Sequence, residues 1–242
     1  MIRPLEEKMF NAWPSLQQVL FDGWVLRFAQ GYTRRANSVN FLYGGTQGVR
    51  QKIEWCSNVY RRQNLRPVFR VTPLAQPAHI DPLLADLAFT RQSPTSVQTL
   101  NLMSLATTEV EGFQFSPEFS GEWLSRFEQL QGVTPNIAHQ AILQNIVPAT
   151  CYATLSSNNE IVACGLGVLE GKTVGLYDIV THASRRRQGF GYALILNILH
   201  WAKQWGATQA YLSVEKGNDP ALNLYAKLGF SEVYEYWYRV LE

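Results

Sequence analysis

Three consecutive arginines, Arg185 to Arg187, are followed by Gln188 and by two glycines one residue apart, Gly189 and Gly191. A long, largely apolar run, "YALILNILHWA", begins directly behind them, and the β-rich "TVGLYDIVT" comes before. A strand that ends in a glycine-bearing turn and opens a helix is a general anion site. The first amides of the helix have no helical partner, and the helix dipole adds partial positive charge at that end. Glycine lets backbone approach an oxyanion closely, and arginine adds charge-assisted hydrogen bonds. A P-loop would need Gly-Lys-Ser/Thr at the helix start, where Tyr192-Ala193 stands. A dinucleotide fingerprint would need a small residue at Leu194 and an acidic residue about 20 positions on, and neither is present. A nucleic-acid surface would interleave its basic residues with aromatics instead of running into an apolar helix.

A second pattern stands downstream. "NDPALNLYAKLGF" places Asn218, Ala221, Leu224, Tyr225, Gly229 and Phe230 in the arrangement Asn-x-x-Ala-x-x-Leu-Tyr-x-x-x-Gly-Phe. Together with Arg186-Arg187-Gln188-Gly189-Phe190-Gly191, which fits Arg/Gln-x-x-Gly-x-Gly/Ala, it makes the sequence resemble the GNAT superfamily of acyl-CoA-dependent N-acetyltransferases. The resemblance covers about residues 115–240. It implies an α/β GNAT fold, a mixed central sheet flanked by helices, and acetyl-CoA as co-substrate with no metal. It also implies an acetyl transfer to a primary amine, of a small molecule or a peptide, by direct attack.

The resemblance further implies roles for particular residues. Amides and side chains of Arg186, Arg187, Gln188, Gly189, Phe190, Gly191 and Tyr192 would hold the CoA pyrophosphate. The backbone of Ile179, Val180 and Thr181 would pair with the pantetheine arm as an added strand would. Asn218 would contact the cofactor, and Tyr225 would act as general acid at the thioester sulfur. A phenol can donate a hydrogen to a departing thiolate. The base is open. An alkylamine of pKa about 10.4 is roughly one part in a thousand neutral at pH 7.4, a handicap of about 4 kcal/mol. The peptide-N-terminal branch of the family carries a glutamate where Ser213 stands here. Glu215, two residues on, and Asp178, on the preceding strand, are the candidates. His182 could touch a phosphate or be an ordinary turn histidine. The missing glutamate leaves an alternative, a non-catalytic acyl-CoA sensor or regulatory module.

The elements that must position these groups follow from periodicity. Helices are expected over "GEWLSRFEQLQG" and "NIAHQAILQNIV", then strands over "CYATLSS", "EIVACGLGVLE" and "TVGLYDIVT", the last two joined at Gly171-Lys172. The anion loop and its helix, the strand "QAYLSV", the helix behind Asn218 and the strand "SEVYEYWYRVL" complete a catalytic domain at 115–242. Residues 106–117 read as a linker. The first 108 residues echo the same order: two β-rich runs, "GWVLRFAQ" and "RANSVNFLYG", a helix through Trp55, the strand "VFRV", and "DPLLADLAF" with Asp81 as its N-cap. This half reads as a smaller, degenerate GNAT-like domain. It has "YGGTQGVRQ" in place of the arginine-led loop and Leu84 in place of Tyr225, so it should shape a cleft and not react. Arg34, Arg35 and Asn37 could read an acceptor, or could be a solvated hairpin face.

Bulk properties agree with an enzyme of this class. The 242 residues carry a net charge of only +2, too small for a dedicated nucleic-acid binder. Cys56, Cys151 and Cys164 lack metal-ligand or disulfide spacing, and the four histidines, His79, His139, His182 and His200, have no metal-ligand spacing either. The N-terminus does not read as a signal peptide and no apolar run is long enough for a membrane span. A cytoplasmic monomer or homodimer, with no nucleic-acid or membrane partner, is expected.

Overall fold

The computed structural model describes residues 2–106 and 111–242. In chain order it contains α1 (Ile2–Ala12), β1 (Gln17–Phe21), β2 (Trp24–Phe28), β3 (Val39–Phe41), α2 (Val49–Arg62), β4 (Val68–Val71), α3 (Ile80–Asp86) and β5 (Thr90–Asn101). It continues with β6 (Phe113–Ser116), α4 (Gly121–Gln131), α5 (Ile137–Gln144), β7 (Ala149–Ser157), β8 (Glu160–Glu170), β9 (Thr173–Thr181), α6 (Phe190–Gln204), β10 (Gln209–Glu215), α7 (Asp219–Leu228) and β11 (Ser231–Val240). Two compact units emerge. One comprises Met1–Ser96, Glu215–Gly217 and Tyr234–Glu242; the other comprises Val97–Val214 and Asn218–Val233. Among the described residues no helix is long and apolar enough to cross a membrane.

In the first unit the strand order is β1-β2-β3-β4-β11, with β3 and β4 parallel and the other pairs antiparallel. Trp24, Leu26, Phe28, Val39, Phe41, Phe69 and Val71 make one buried cluster with Ile53, Cys56 and Tyr60 of α2 and Ile80, Leu83 and Leu84 of α3. Leu84 is therefore a core residue. A second set of buried groups is polar: Glu6 pairs with both terminal nitrogens of Arg70, and Tyr234 donates to the same carboxylate. The structure adds β1, which hairpins onto β2 through Asp22-Gly23, a two-residue turn with both φ positive. It also moves a cap: α3 starts at Ile80, and Asp81 is not its N-cap but accepts from Arg239 Nε at 2.8 Å and Trp237 Nε1 at 2.7 Å. Arg34, Arg35 and Asn37 are spent internally. Asn37 Oδ1 accepts from the amides of Ala29 and Gly31, Arg34 donates to Gln92 and Ser93, and Arg35 lies over the Trp13 ring.

In the second unit the order is β5-β10-β9-β8-β7-β6. Part of the expected linker is a strand, since β6 pairs with β7 from Phe113↔Leu155 to Ser116↔Tyr152; residues 107–110 of that linker lie outside the described residues. Helix α6 covers one face of the sheet. Cys151, Ala153, Ala163, Leu176, Leu194, Ile195, Ile198 and Trp201 form that core, and α7 joins it through Tyr225 and Leu228. Helix α4 packs on β8 and β9 from the other face: Tyr152, between the two α6-facing residues, meets the Trp123 ring edge-on at 5.1 Å. The helix ends follow local chemistry. Ser120 and Asn136 side chains cap α4 and α5, and Gly132 closes α4 in a left-handed conformation.

Candidate active site

The loop before α6 is built around two left-handed residues, Arg187 (φ 62°) and Gly189 (φ 88°). Left-handed residues in such a turn let backbone amides converge on one side, a concavity suited to an anion. Gly189 is the N-cap of α6 and no side chain caps that end. The helix begins one residue earlier than the second glycine. Gly191 lies inside the first turn, where a Cβ would meet Thr181 Oγ1 at 3.1 Å and Leu224 Cδ2 at 3.4 Å. Arg186, Arg187, Gln188 and Tyr192 are exposed and Phe190 half-buried. Arg185 reaches Glu160 at 3.4 Å, while Arg186 and Arg187 form no ion pair among the described residues. His182 is committed to the turn: its Nδ1 meets Ser184 Oγ at 2.8 Å.

Strands β9 and β10 pair in parallel only over Gln209↔Thr173, Ala210↔Val174 and Tyr211↔Gly175. Both continue beyond that point, to Thr181 and Glu215, so their facing edges open into a wedge next to the α6 N-terminus. The Tyr177 and Tyr211 hydroxyls, 2.9 Å apart, stand at the mouth of the wedge. Ile179, Val180 and Thr181 form its β9 edge. A thread of amides could add there as a strand does. A bulge sits at the same level on the other edge of β9, toward β8. Leu166 pairs with Tyr177 and Cys164 with Val180, so Asp178 and Ile179 together face Gly165, and Asp178 takes φ 48°.

The bulge decides where Asp178 goes. By simple alternation from Tyr177 it would face α6, but Ile179 takes that side in the α6 core. Asp178 turns to α5, where Oδ2 lies 2.8 Å from Nε2 of His139. Its charge also helps hold the Tyr152 phenol up, although burial is the larger cause. Tyr225 approaches from the α6 face. It is 9% exposed, its ring edge-on to Phe230 at 5.9 Å, and burial pushes its phenol up to about 12. Its hydroxyl makes no hydrogen bond among the described residues. Glu215 is exposed at the end of β10. Ser213 has its Oγ buried and unpartnered in the described structure. Asn218 serves as N-cap of α7, accepting from the Ala221 amide at 3.3 Å, and Gly229 ends that helix left-handed. Two of the six residues of the Asn218–Phe230 pattern, Asn218 and Gly229, are thus helix punctuation. Among the described residues no group of three or more His, Cys, Asp or Glu could hold a metal.

His139 is the residue that sequence reasoning missed. A lone histidine on an amphipathic helix carries no signal, and its partner lies 39 residues away.

A sheet whose central parallel strands part beside a glycine-built helix N-terminus defines a GNAT-type acyltransferase fold. Solved structures agree: a GCN5-related N-acetyltransferase from Kribbella flavida aligns over 98% of this chain and 94% of its own, with TM-score 0.74 and 16% identity. One from Sphaerobacter thermophilus aligns over 98% and 85%, with TM-score 0.67 and 15% identity. The "Uncharacterized N-acetyltransferase YobR" of Bacillus subtilis (strain 168) is 29% identical over 246 residues, 99% of this chain and 98% of its own length. Residues 1–239 match the family described as "Probable histone acetyltransferase Rv0428c C-terminal". The chain belongs to that family and is an acetyltransferase of the GNAT type.

Proposed function

We propose that this protein is a cytoplasmic N-acetyltransferase that moves an acetyl group from acetyl-CoA to a primary amine by direct attack. The observation that carries the reading is the open wedge between β9 and β10 beside the left-handed Arg187 and Gly189. Acetyl-CoA supplies the activated acetyl thioester. The amides from Arg187 to Tyr192, with Arg186, Arg187 and Gln188 side chains, hold its pyrophosphate. Ile179, Val180 and Thr181 bind the pantetheine amides, and Asn218 borders the cofactor with the part of its side chain not engaged in capping.

Tyr225 stands in the general-acid position at the leaving sulfur and serves there as a hydrogen-bond donor. A phenol near 12 keeps its proton throughout the neutral range, so it is always available to donate. Passing that proton fully to a thiolate of pKa about 8.5 would be uphill by roughly 5 kcal/mol, so the contribution is a hydrogen bond to the developing thiolate. Asp178, on the opposite face of the sheet, takes the amine proton. Glu215 is the other candidate base. The family description points to a histone acceptor for its namesake, so lysine side chains belong with small amines and peptide N-termini among the acceptors to test.

The second reading, a non-catalytic acyl-CoA sensor, is favoured by Ser213 in place of the glutamate. Thiol release from acetyl-CoA by purified protein, screened against an amine and peptide library, separates the two. Acceptor-dependent thiol release supports the enzyme; tight acetyl-CoA binding with no turnover for any acceptor supports the sensor.

A further inference from the structure

His139 lies on α5, 1% exposed, with its ring packed edge-on against Phe127 at 5.4 Å. Burying an imidazole is costly unless its nitrogens find partners. Here Nε2 finds the carboxylate of Asp178, whose side chain is itself 10% exposed. Within that residue the two oxygens differ. Oδ2 is taken by His139, while Oδ1 has no hydrogen-bond partner among the described residues and is not sealed from solvent. The β9 bulge is what brings the carboxylate to this face, at the level where the strand has parted from β10. A bulge that re-aims one polar side chain toward a buried histidine, level with an unpaired edge, is more than core packing requires.

We infer that His139 is a positioning residue: it holds Asp178 by Oδ2 so that Oδ1 receives the proton of the acceptor amine. The inference rests on the acetyltransferase reading above. In the step served, the lone pair of the neutral amine forms the C–N bond at the thioester carbonyl. The C–S bond breaks and its electron pair leaves on sulfur, against the Tyr225 hydroxyl. The excess N–H proton passes to Asp178 Oδ1, directly or through one water. That proton returns to solvent, and solvent protonates the released thiolate, so one proton is lost at nitrogen and one is gained at sulfur. Fixing the carboxylate by one oxygen removes the side-chain rotation that would otherwise spread Oδ1 over several positions. Orientation of this kind is a large part of what a base contributes.

The test uses the full chain with acetyl-CoA and the best amine found by thiol release. His139→Ala, His139→Gln, Asp178→Asn and the Asp178→Asn/His139→Ala double variant are compared for kcat, for acetyl-CoA Kd by calorimetry and for Tm. Asn suits position 178 because it tolerates left-handed backbone, and Gln can still donate to Oδ2 from the histidine site. Expected are a loss of kcat of about 10-fold or more in His139→Ala with Kd within twofold, and recovery of most of that loss in His139→Gln. Asp178→Asn should lose at least as much as His139→Ala, and the double variant no more than Asp178→Asn alone. Wild-type kcat in His139→Ala, or equal losses in the Ala and Gln variants, overturns the inference while leaving the enzyme reading intact. If His139→Ala does not fold, a His139→Gln variant with kcat as low as Asp178→Asn overturns it instead. Absence of thiol release by the wild type with every acceptor, despite acetyl-CoA binding, would overturn the enzyme reading, and this inference with it.

Discussion

Replacing Gly189 by alanine isolates the backbone contribution of the loop. A Cβ at this position would meet nothing within 4 Å, yet the residue sits at φ 88°, so the substitution adds no clash and only penalises the left-handed conformation. That penalty is about 1–2 kcal/mol for an L-residue. If the free loop relaxes to avoid it and the cofactor requires it back, the penalty appears in binding, as a 5- to 30-fold weaker acetyl-CoA Kd by the tenfold-per-1.4-kcal/mol rule, about. If neighbouring structure holds the loop in place, the same cost appears as lost stability. Calorimetric titration with acetyl-CoA, paired with chemical denaturation, reads both. The expected result is a weakened Kd with little change in unfolding free energy, because Arg186 to Gly189 are exposed and a Cβ at Gly189 would meet nothing within 4 Å. A variant with Kd within twofold and unchanged stability would refute the assignment of this turn to the cofactor.

Gly191→Val should fail differently, abolishing binding because its side chain enters the 3.1–3.4 Å space already held by Thr181 and Leu224; calorimetry against wild type checks it. Tyr225→Phe should keep acetyl-CoA affinity and lower kcat by about tenfold or more, and equal turnover would remove the hydroxyl from the mechanism. Glu6→Gln should destabilise by about 3–5 kcal/mol in denaturant unfolding, because it leaves the buried Arg70 guanidinium without its counter-charge; a loss below about 1 kcal/mol would mean the pair is dispensable. Asp22 is held well below the usual carboxylate range, chiefly by Lys52 and then by the Thr46 and Gln47 amides. A depressed folded pKa gives stability that is present above the unfolded value near 4 and lost as pH falls below it. Asp22→Asn should therefore lower Tm at pH 7 and flatten the fall in Tm below about pH 4.

What could be read from the sequence was what local chemistry fixes. The α6 N-terminus was legible because Arg186–Gly191 are contiguous, and α7 because Asn218, Pro220 and Gly229 start and stop a helix whatever it packs against. The β6 strand was not, since four residues have no periodicity and their order comes from pairing with β7, some 40 positions away. Asp81 has the residue type of a cap but is drawn to Arg239, 158 positions on. The β1–β2 hairpin was within reach, because Asp22-Gly23 is a strong two-residue turn signal, but "QQVLF" shows no alternation, its first four residues all being exposed. The base could not be chosen between Asp178 and Glu215 from spacing, because a single bulge decides which face a β9 side chain takes.

The two glycine-bearing helix starts, one in each unit, explain why the same local physics need not give the same function. Both α2 and α6 begin without a side-chain cap of their own, so each presents amides that want an anion. In the loop before α2 the chain provides an anion of its own, to the amides just ahead of the Gly48 N-cap. The Asp22 carboxylate accepts from the Thr46 amide at 2.9 Å and the Gln47 amide at 2.9 Å, and Lys52 Nζ stands 2.8 Å away to balance its charge. Before α6 the described residues supply no carboxylate to the loop amides, and Arg186 and Arg187 remain without ion pairs. A turn residue of the β1–β2 hairpin thus closes one site with an internal ligand. The other keeps its amides and positive charge for a ligand from outside, and this is the physical difference between the "YGGTQGVRQ" and "RRRQGFG" segments that the glycines alone do not reveal.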